Sequence, residues 1–257
     1  MISYRLTNYI GMGNPDADIL LVGTEKALDP KNFKHYDILN HELNLNVEHW
    51  EDIIVNHNHL IEHLDPLLLI RSGLLNGFNP FNPLLFPATL SLVGGRAGHT
   101  YYGLQRLLNY YEGIRHLPVT TIFERLKYNK CTFSRCFLTE VSANPARNIH
   151  IAKFNLSDFF VGLRYHFMTT SARDFYTSFK NVVIYAGKNN RYVGAEGTTN
   201  RLKIIRIFNP SLNHLDIINM PHFDYYDNGH GARVILCRHL AAGLGNGIAI
   251  EIANSIF

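Results

Sequence analysis

The chain has 257 residues, of which 46% are hydrophobic and 18% charged, so it carries enough apolar material for a buried core and is not a disordered polymer. Its formal charge of +3 permits a nucleic-acid partner without demanding one. Three cysteines (Cys131, Cys136, Cys237) exclude a disulfide framework, and a four-cysteine zinc or iron–sulfur site built by one chain.

The first element is Asp18-Ile19-Leu20-Leu21-Val22-Gly23, a short apolar run ending in glycine. It predicts a buried strand, parallel to its neighbours and covered on both faces. Residues 29–90 form a long insertion. Within it Val47, Trp50, Ile53, Ile54, Leu60, Ile61 and Leu64 recur at helical spacing. Gly77-Phe78-Asn79-Pro80-Phe81-Asn82-Pro83 predicts a loop. Leu104, Leu107, Leu108 and Tyr111 return to helical spacing. Cys136–Thr139, Val182–Gly187 and Lys203–Phe208 predict three more strands, the last running into Asn209-Pro210. Residues 230–242 predict a helix stopped by Gly243. Ile248, Ile250 and Ile252 fit either a strand or a helix. Strands alternating with helices predict one α/β domain over residues 1–257: a three-layer sandwich around a mostly parallel sheet of about four strands. In such sheets the ligand sits beyond the carboxyl ends of the strands. Those ends are Gly23-Thr24-Glu25-Lys26, Thr139-Glu140, Gly187-Lys188 and Asn209-Pro210-Ser211.

These strand ends resemble the sites of the uracil-DNA glycosylase superfamily. Gly23-Thr24-Glu25 is similar to that family's Gly, variable residue, catalytic Asp or Asn. Asn209-Pro210-Ser211 is similar to the His-Pro-Ser or Asn-Pro-Ser that ends its last strand. Gly95-Arg96-Ala97-Gly98 matches a Gly-Arg-Ala-Gly of the thermostable branch, and Phe137–Val141 through Asn144-Pro145 resembles its strand ending in Thr-Asn. The pieces stand in the family's order across residues 14–213. Glu25 replaces Asp or Asn, Lys26 replaces Pro, and Glu140 replaces the Asn that reads uracil. Phe86 or Tyr101 would have to serve as the stacking aromatic, because Leu92 and Val93 occupy its usual place.

The resemblance implies a hydrolase that flips a nucleotide out of DNA and cleaves its N-glycosidic bond, leaving an abasic site. Cleavage builds positive charge on the sugar. Glu25 can stabilise that charge and orient or deprotonate water; otherwise it is a solvated loop carboxylate. Thr24 would line the same pocket. Asn209 can donate an amide N–H to the departing base, or can simply form a turn. Ser211 suits a DNA phosphate or a helix cap. Leu212 or Leu215 would be the wedge filling the vacated stack, within a DNA-contacting run that includes Asn213 and His214; a core leucine is the alternative. An ionised Glu140 offers acceptors only, so it suits an exocyclic amine such as cytosine N4 rather than uracil O4. The expected substrate is therefore a cytosine-like or modified base, with a role in defence against modified phage DNA as a further implication. Glu140 bound structurally to Arg147 or another cation is the alternative. Plain uracil excision in repair, or a non-catalytic nucleic-acid-binding relative, are the competing functions.

Lys26, Arg96, Arg147, Lys188, Arg191 and Arg201 are candidates for a phosphate-binding face, or are scattered solvated cations. His59 and His63 stand four apart, but no third ligand accompanies them and no metal site is expected. Gly243-Leu244-Gly245-Asn246-Gly247 lies too near the C-terminus to open a dinucleotide-binding unit. Tyr101, Tyr102, Tyr110 and Tyr111 offer stacking surfaces or helix packing. No cofactor is expected. No apolar run is long enough to span a membrane and the start lacks the apolar stretch of a signal peptide, so a cytoplasmic monomer with DNA as partner is the expectation.

Overall fold

A computed structural model describes residues 7–23, 47, 50–54, 106–113, 136–142, 156–185, 197–237 and 246–256. Its elements in chain order are β1 (Met12–Gly13), β2 (Ile19–Gly23), α1 (Trp50–Ile54), a helical stretch at 106–111, β3 (Phe137–Glu140), α2 (Leu156–Phe160), α3 (Leu163–Thr169), α4 (Arg173–Thr177), β4 (Asn181–Tyr185), α5 (Gly197–Phe208), β5 (Ile217–Asn219), β6 (Phe223–Tyr226), β7 (Arg233–Cys237) and α6 (Asn246–Ile256).

The strands form one mixed sheet in the order β1-β3-β2-β4-β7-β6-β5. The pairs β3–β2, β2–β4 and β4–β7 are parallel, so the centre is a parallel quartet. The expected α/β class is present, but the sheet is mixed rather than mostly parallel: three strand pairs are parallel and three antiparallel among the described residues. The expected count of about four strands is corrected to seven among the described residues, because antiparallel β1 extends one edge and the β5–β6 hairpin extends the other. The β2 and β4 side chains are buried along their whole length, as strands covered on both faces must be. Leu20, Val22, Val182, Ile184, Val234 and Leu236 share one core cluster with Phe167, Met168, Ile204 and Phe208 from α3 and α5. On the other face, Asn181 donates to the Tyr111 hydroxyl at the end of the 106–111 helix, 3.4 Å away.

Two predicted elements change identity. Lys203–Phe208 is not a strand but the last half of α5. Its buried positions are Ile204, Ile205, Ile207 and Phe208, with Lys203 and Arg206 exposed. That is helical spacing, which a six-residue apolar run does not separate from a strand. Conversely, residues 233–237 of the predicted 230–242 helix form β7. The run Val234-Ile235-Leu236-Cys237 is buried on both faces, which hides any alternation. The ambiguous isoleucines near the end belong to a helix, α6. Of the insertion at 29–90, only position 47 and α1 lie among the described residues.

Candidate active site at the carboxyl end of the parallel strands

The parallel strands occur in chain order as β2, β3, β4, β7 but lie side by side as β3-β2-β4-β7. The next parallel strand after β2 lies to one side, and the next after β4 lies to the other. Connections leaving in opposite directions make the carboxyl ends of β2 and β4 a topological switch point, the usual ligand position in open α/β sheets.

The register puts four residues in one row across that edge. Gly23 pairs with Glu140, and Tyr185 pairs with Cys237. Val22 pairs with Ile184, so Gly23 and Tyr185 are neighbours. Side chains alternate between faces, and this row points away from the cluster that holds Val22 and Ile184. A Cβ on Gly23 would collide with Glu140 Oε2 and stand 2.7 Å from the Tyr185 hydroxyl. A carboxylate and a phenol therefore converge over a bare α-carbon. The absence of a side chain at Gly23 is what lets them approach. Val141 N–H donates to Gly23 carbonyl at 3.0 Å and ties the two strand ends together. Glu140 is half-buried and Tyr185 buried. Together they bring a carboxylate and a phenol hydroxyl to this edge of the sheet.

Cys237 completes the row but is not a nucleophile. It is fully buried, and that burial pushes its thiol up to about 12. It stays protonated at neutral pH. Cys136 is also a buried free thiol.

A polar network on the other side of the sheet braces the row. Thr139 Oγ1 lies 3.2 Å from the Tyr176 hydroxyl, which donates to the Ile10 carbonyl at 2.8 Å. Arg164 Nη2 donates to the Glu140 carbonyl at 2.7 Å and to Thr139 Oγ1 at 3.2 Å. Its Nη1 donates to the carbonyls of Thr7, at 3.0 Å, and Tyr9. The segment before β1 is thereby stitched to the end of β3.

Asn209 lies at the opposite pole. Its Nδ2 donates to the carbonyls of His230 and Ala232, both at 2.7 Å. Ala232 immediately precedes β7, so this is the amino end of the strand. Five residues of extended chain separate Ala232 from Cys237, about 16 Å. A catalytic group acts at about 3 Å from its target. In this structure Asn209 is a turn anchor at the amino end of β7, and it is not brought to the carboxyl edge where a leaving-base donor was expected. Both of its N–H groups are occupied, and its Oδ1 accepts from Ser211 N (3.1 Å) and Ser211 Oγ (2.7 Å). The pairing of Asn209 with Glu140 in one pocket fails for the same reason. The physical cause is the change of Lys203–Phe208 from strand to helix: a helix following β4 runs back towards the amino ends, and delivers its last residue there.

The neighbours of Asn209 share that position. Ser211 accepts from Asn228 Nδ2 at 3.0 Å, which fixes it within the turn. Leu212 is fully buried in the core cluster, so it is not a wedge. Asn213 Oδ1 accepts from Leu215 N, and its own N–H donates to Asp216. His214 and Leu215 are exposed, Leu215 to 79%, but at the pole away from Glu140. Arg201 pairs with Asp224 at 3.1 Å, and its partner's carboxylate is buried. It serves the joint between α5 and β6 rather than a phosphate-binding face.

Thr24, Glu25, Lys26, Phe86, Arg96 and Tyr101 lie outside the described residues, as do Arg147, Lys188 and Arg191. Glu25 follows the last residue of β2 by two positions. Among the described residues no group of His, Cys, Asp and Glu is arranged to hold a metal ion, and no helix is long and apolar enough to cross a membrane. Tyr185 and Arg164 escaped the sequence reading. Tyr185 was legible as a residue of a predicted strand near its carboxyl end. Arg164 carried no signal, because its role depends on contacts with residues 24 and 155 to 157 positions away. No family model, curated protein or solved structure matches the chain.

Proposed function

We propose that this chain hydrolyses the N-glycosidic bond of a flipped-out base in DNA, at the carboxyl end of its parallel strands, and that the base is cytosine-like rather than uracil. The observation that carries the reading is the Glu140 carboxylate folded over Gly23 at the switch point, beside the Tyr185 hydroxyl. Two strand ends on which the resemblance rests, Gly23 and Glu140, are direct register partners there.

In this reading Glu25, two residues beyond Gly23, takes a proton from water as the water oxygen bonds to the anomeric carbon. The bond from that carbon to the base nitrogen breaks, and its electron pair leaves with the base. Glu140 accepts from an exocyclic amine, and the Tyr185 hydroxyl donates to a ring carbonyl. Asn209 has no part.

Incubation with oligonucleotides bearing uracil, cytosine, hydroxymethylated cytosine or glycosylated cytosine, followed by alkali cleavage, tests this. Glu25→Gln should abolish abasic product while leaving DNA binding in place. Efficient uracil excision unaffected by Glu140→Gln would sink the assignment of the base. DNA binding with no abasic product from any of the four would leave a non-catalytic binding protein.

A further inference from the structure

The side chain of Arg164 is the most unusual group in the described structure. It is only 3% exposed, and every hydrogen bond it makes goes to a neutral acceptor: the carbonyls of Thr7, Tyr9 and Glu140, the Thr139 hydroxyl and, at 3.5 Å, the Tyr176 hydroxyl. Its guanidinium also lies 5.7 Å from the Phe167 ring centroid. Among the described residues no carboxylate stands within ion-pair distance of it. Its Nε has no hydrogen-bond partner. A buried cation without a counter-ion is costly, and backbone dipoles offset that cost only in part. Such a charge persists where a nearby negative group benefits from it.

One negative group is attached to the peptide it grips. Arg164 Nη2 holds the Glu140 carbonyl from one face of the sheet, and the Glu140 carboxylate leaves from the other face to cover Gly23. The geometry points to Arg164 as the positioning residue of this site: it clamps the last peptide of β3, and its unneutralised charge is the counter-charge that favours an ionised Glu140 over Gly23. The assignment rests on the carboxyl edge being the substrate site, and it deepens that reading. A carboxylate kept ionised accepts and does not donate, so the site takes a ligand group that presents N–H donors, such as an exocyclic amine, and disfavours a carbonyl at that point. Attraction between charges in a partly dry edge is far stronger than in water, so the coupling is measurable without substrate.

A double-mutant cycle in urea decides it. Arg164→Met keeps the volume and removes the charge, and Glu140→Gln keeps the shape and removes the partner. The unfolding midpoint should fall further on Arg164→Met in the Glu140 background than in the Gln background. Equal falls in both backgrounds would make Arg164 a backbone clamp alone and overturn the assignment. If Arg164→Met does not fold, Arg164→Lys and Arg164→Gln are compared instead. The gap between their midpoints should shrink when Glu140→Gln is added, and an unchanged gap overturns the assignment equally. The cycle uses no DNA, so loss of the glycosylase reading and loss of this coupling are separate results.

Discussion

Replacing Asn209 with Ala separates a structural amide from a catalytic one. The amide makes four hydrogen bonds: two donated at 2.7 Å to the carbonyls of His230 and Ala232, and two accepted from Ser211 at 3.1 and 2.7 Å. A typical bond of this kind contributes about 1 kcal/mol net, which sets an upper figure of about 4 kcal/mol. His230 and Ser211 are exposed and can turn to water, whereas Ala232 is 2% exposed and its carbonyl is left without that donor. The expected cost is thus about 2–4 kcal/mol. With a urea slope of about 2–3 kcal/mol per molar, the midpoint falls by roughly 1 M. Activity per folded molecule, measured as abasic-site formation well below that midpoint, should be retained. Asn209→Asp sharpens the comparison. It turns the donor into a carboxylate oxygen facing two carbonyl oxygens, so it should cost more at neutral pH than in mild acid, where a protonated carboxyl can donate. A folded Asn209→Ala protein with the wild-type midpoint and no activity would refute the placement of Asn209 at the amino end of β7.

Gly23→Ala places a methyl where Glu140 Oε2 and the Tyr185 hydroxyl converge. The carboxylate is the end of a flexible side chain and can swing away, so the stability cost stays near 1–3 kcal/mol while abasic product is lost; a fully active Gly23→Ala protein would place substrate recognition elsewhere. At alkaline pH the β5–β6–β7 extension should loosen. Burial raises Tyr225 to about 12, helped by its 2.8 Å hydrogen bond to Asp227, and burial beside the Asp224 charge raises Tyr226 to about 12. A phenol with a raised folded-state value contributes stability that is fully present below its unfolded value of 10.0 and is lost as the pH rises towards about 12. Urea midpoints measured across that window should fall together with late tyrosinate absorbance. Ordinary ionisation of both phenols in the native protein would refute that packing.

The sequence by itself determined the α/β class and three of the four parallel strands, because β2, β3 and β4 are short apolar runs with a glycine or a polar residue at or within two residues of their ends. It also pointed to Gly23 and Glu140 as strand-end positions, although not to their pairing. It did not separate Lys203–Phe208 from a strand, because six residues are too few to tell the two periods apart, or Arg233–Cys237 from a helix, because burial on both faces hides its alternation. That single exchange moved Asn209, Ser211 and Leu212 from the carboxyl edge to the amino edge of the sheet, because a helix after a parallel strand returns the chain to where the strand began. The convergence of Glu140 and Tyr185 over Gly23 depends on the order β3-β2-β4-β7, which strand pairing decides and local sequence does not encode. The grip of Arg164 on residues 7, 9, 139 and 140 is likewise a product of tertiary structure: a buried cation finds its acceptors only once α3, β3 and the segment before β1 have packed together.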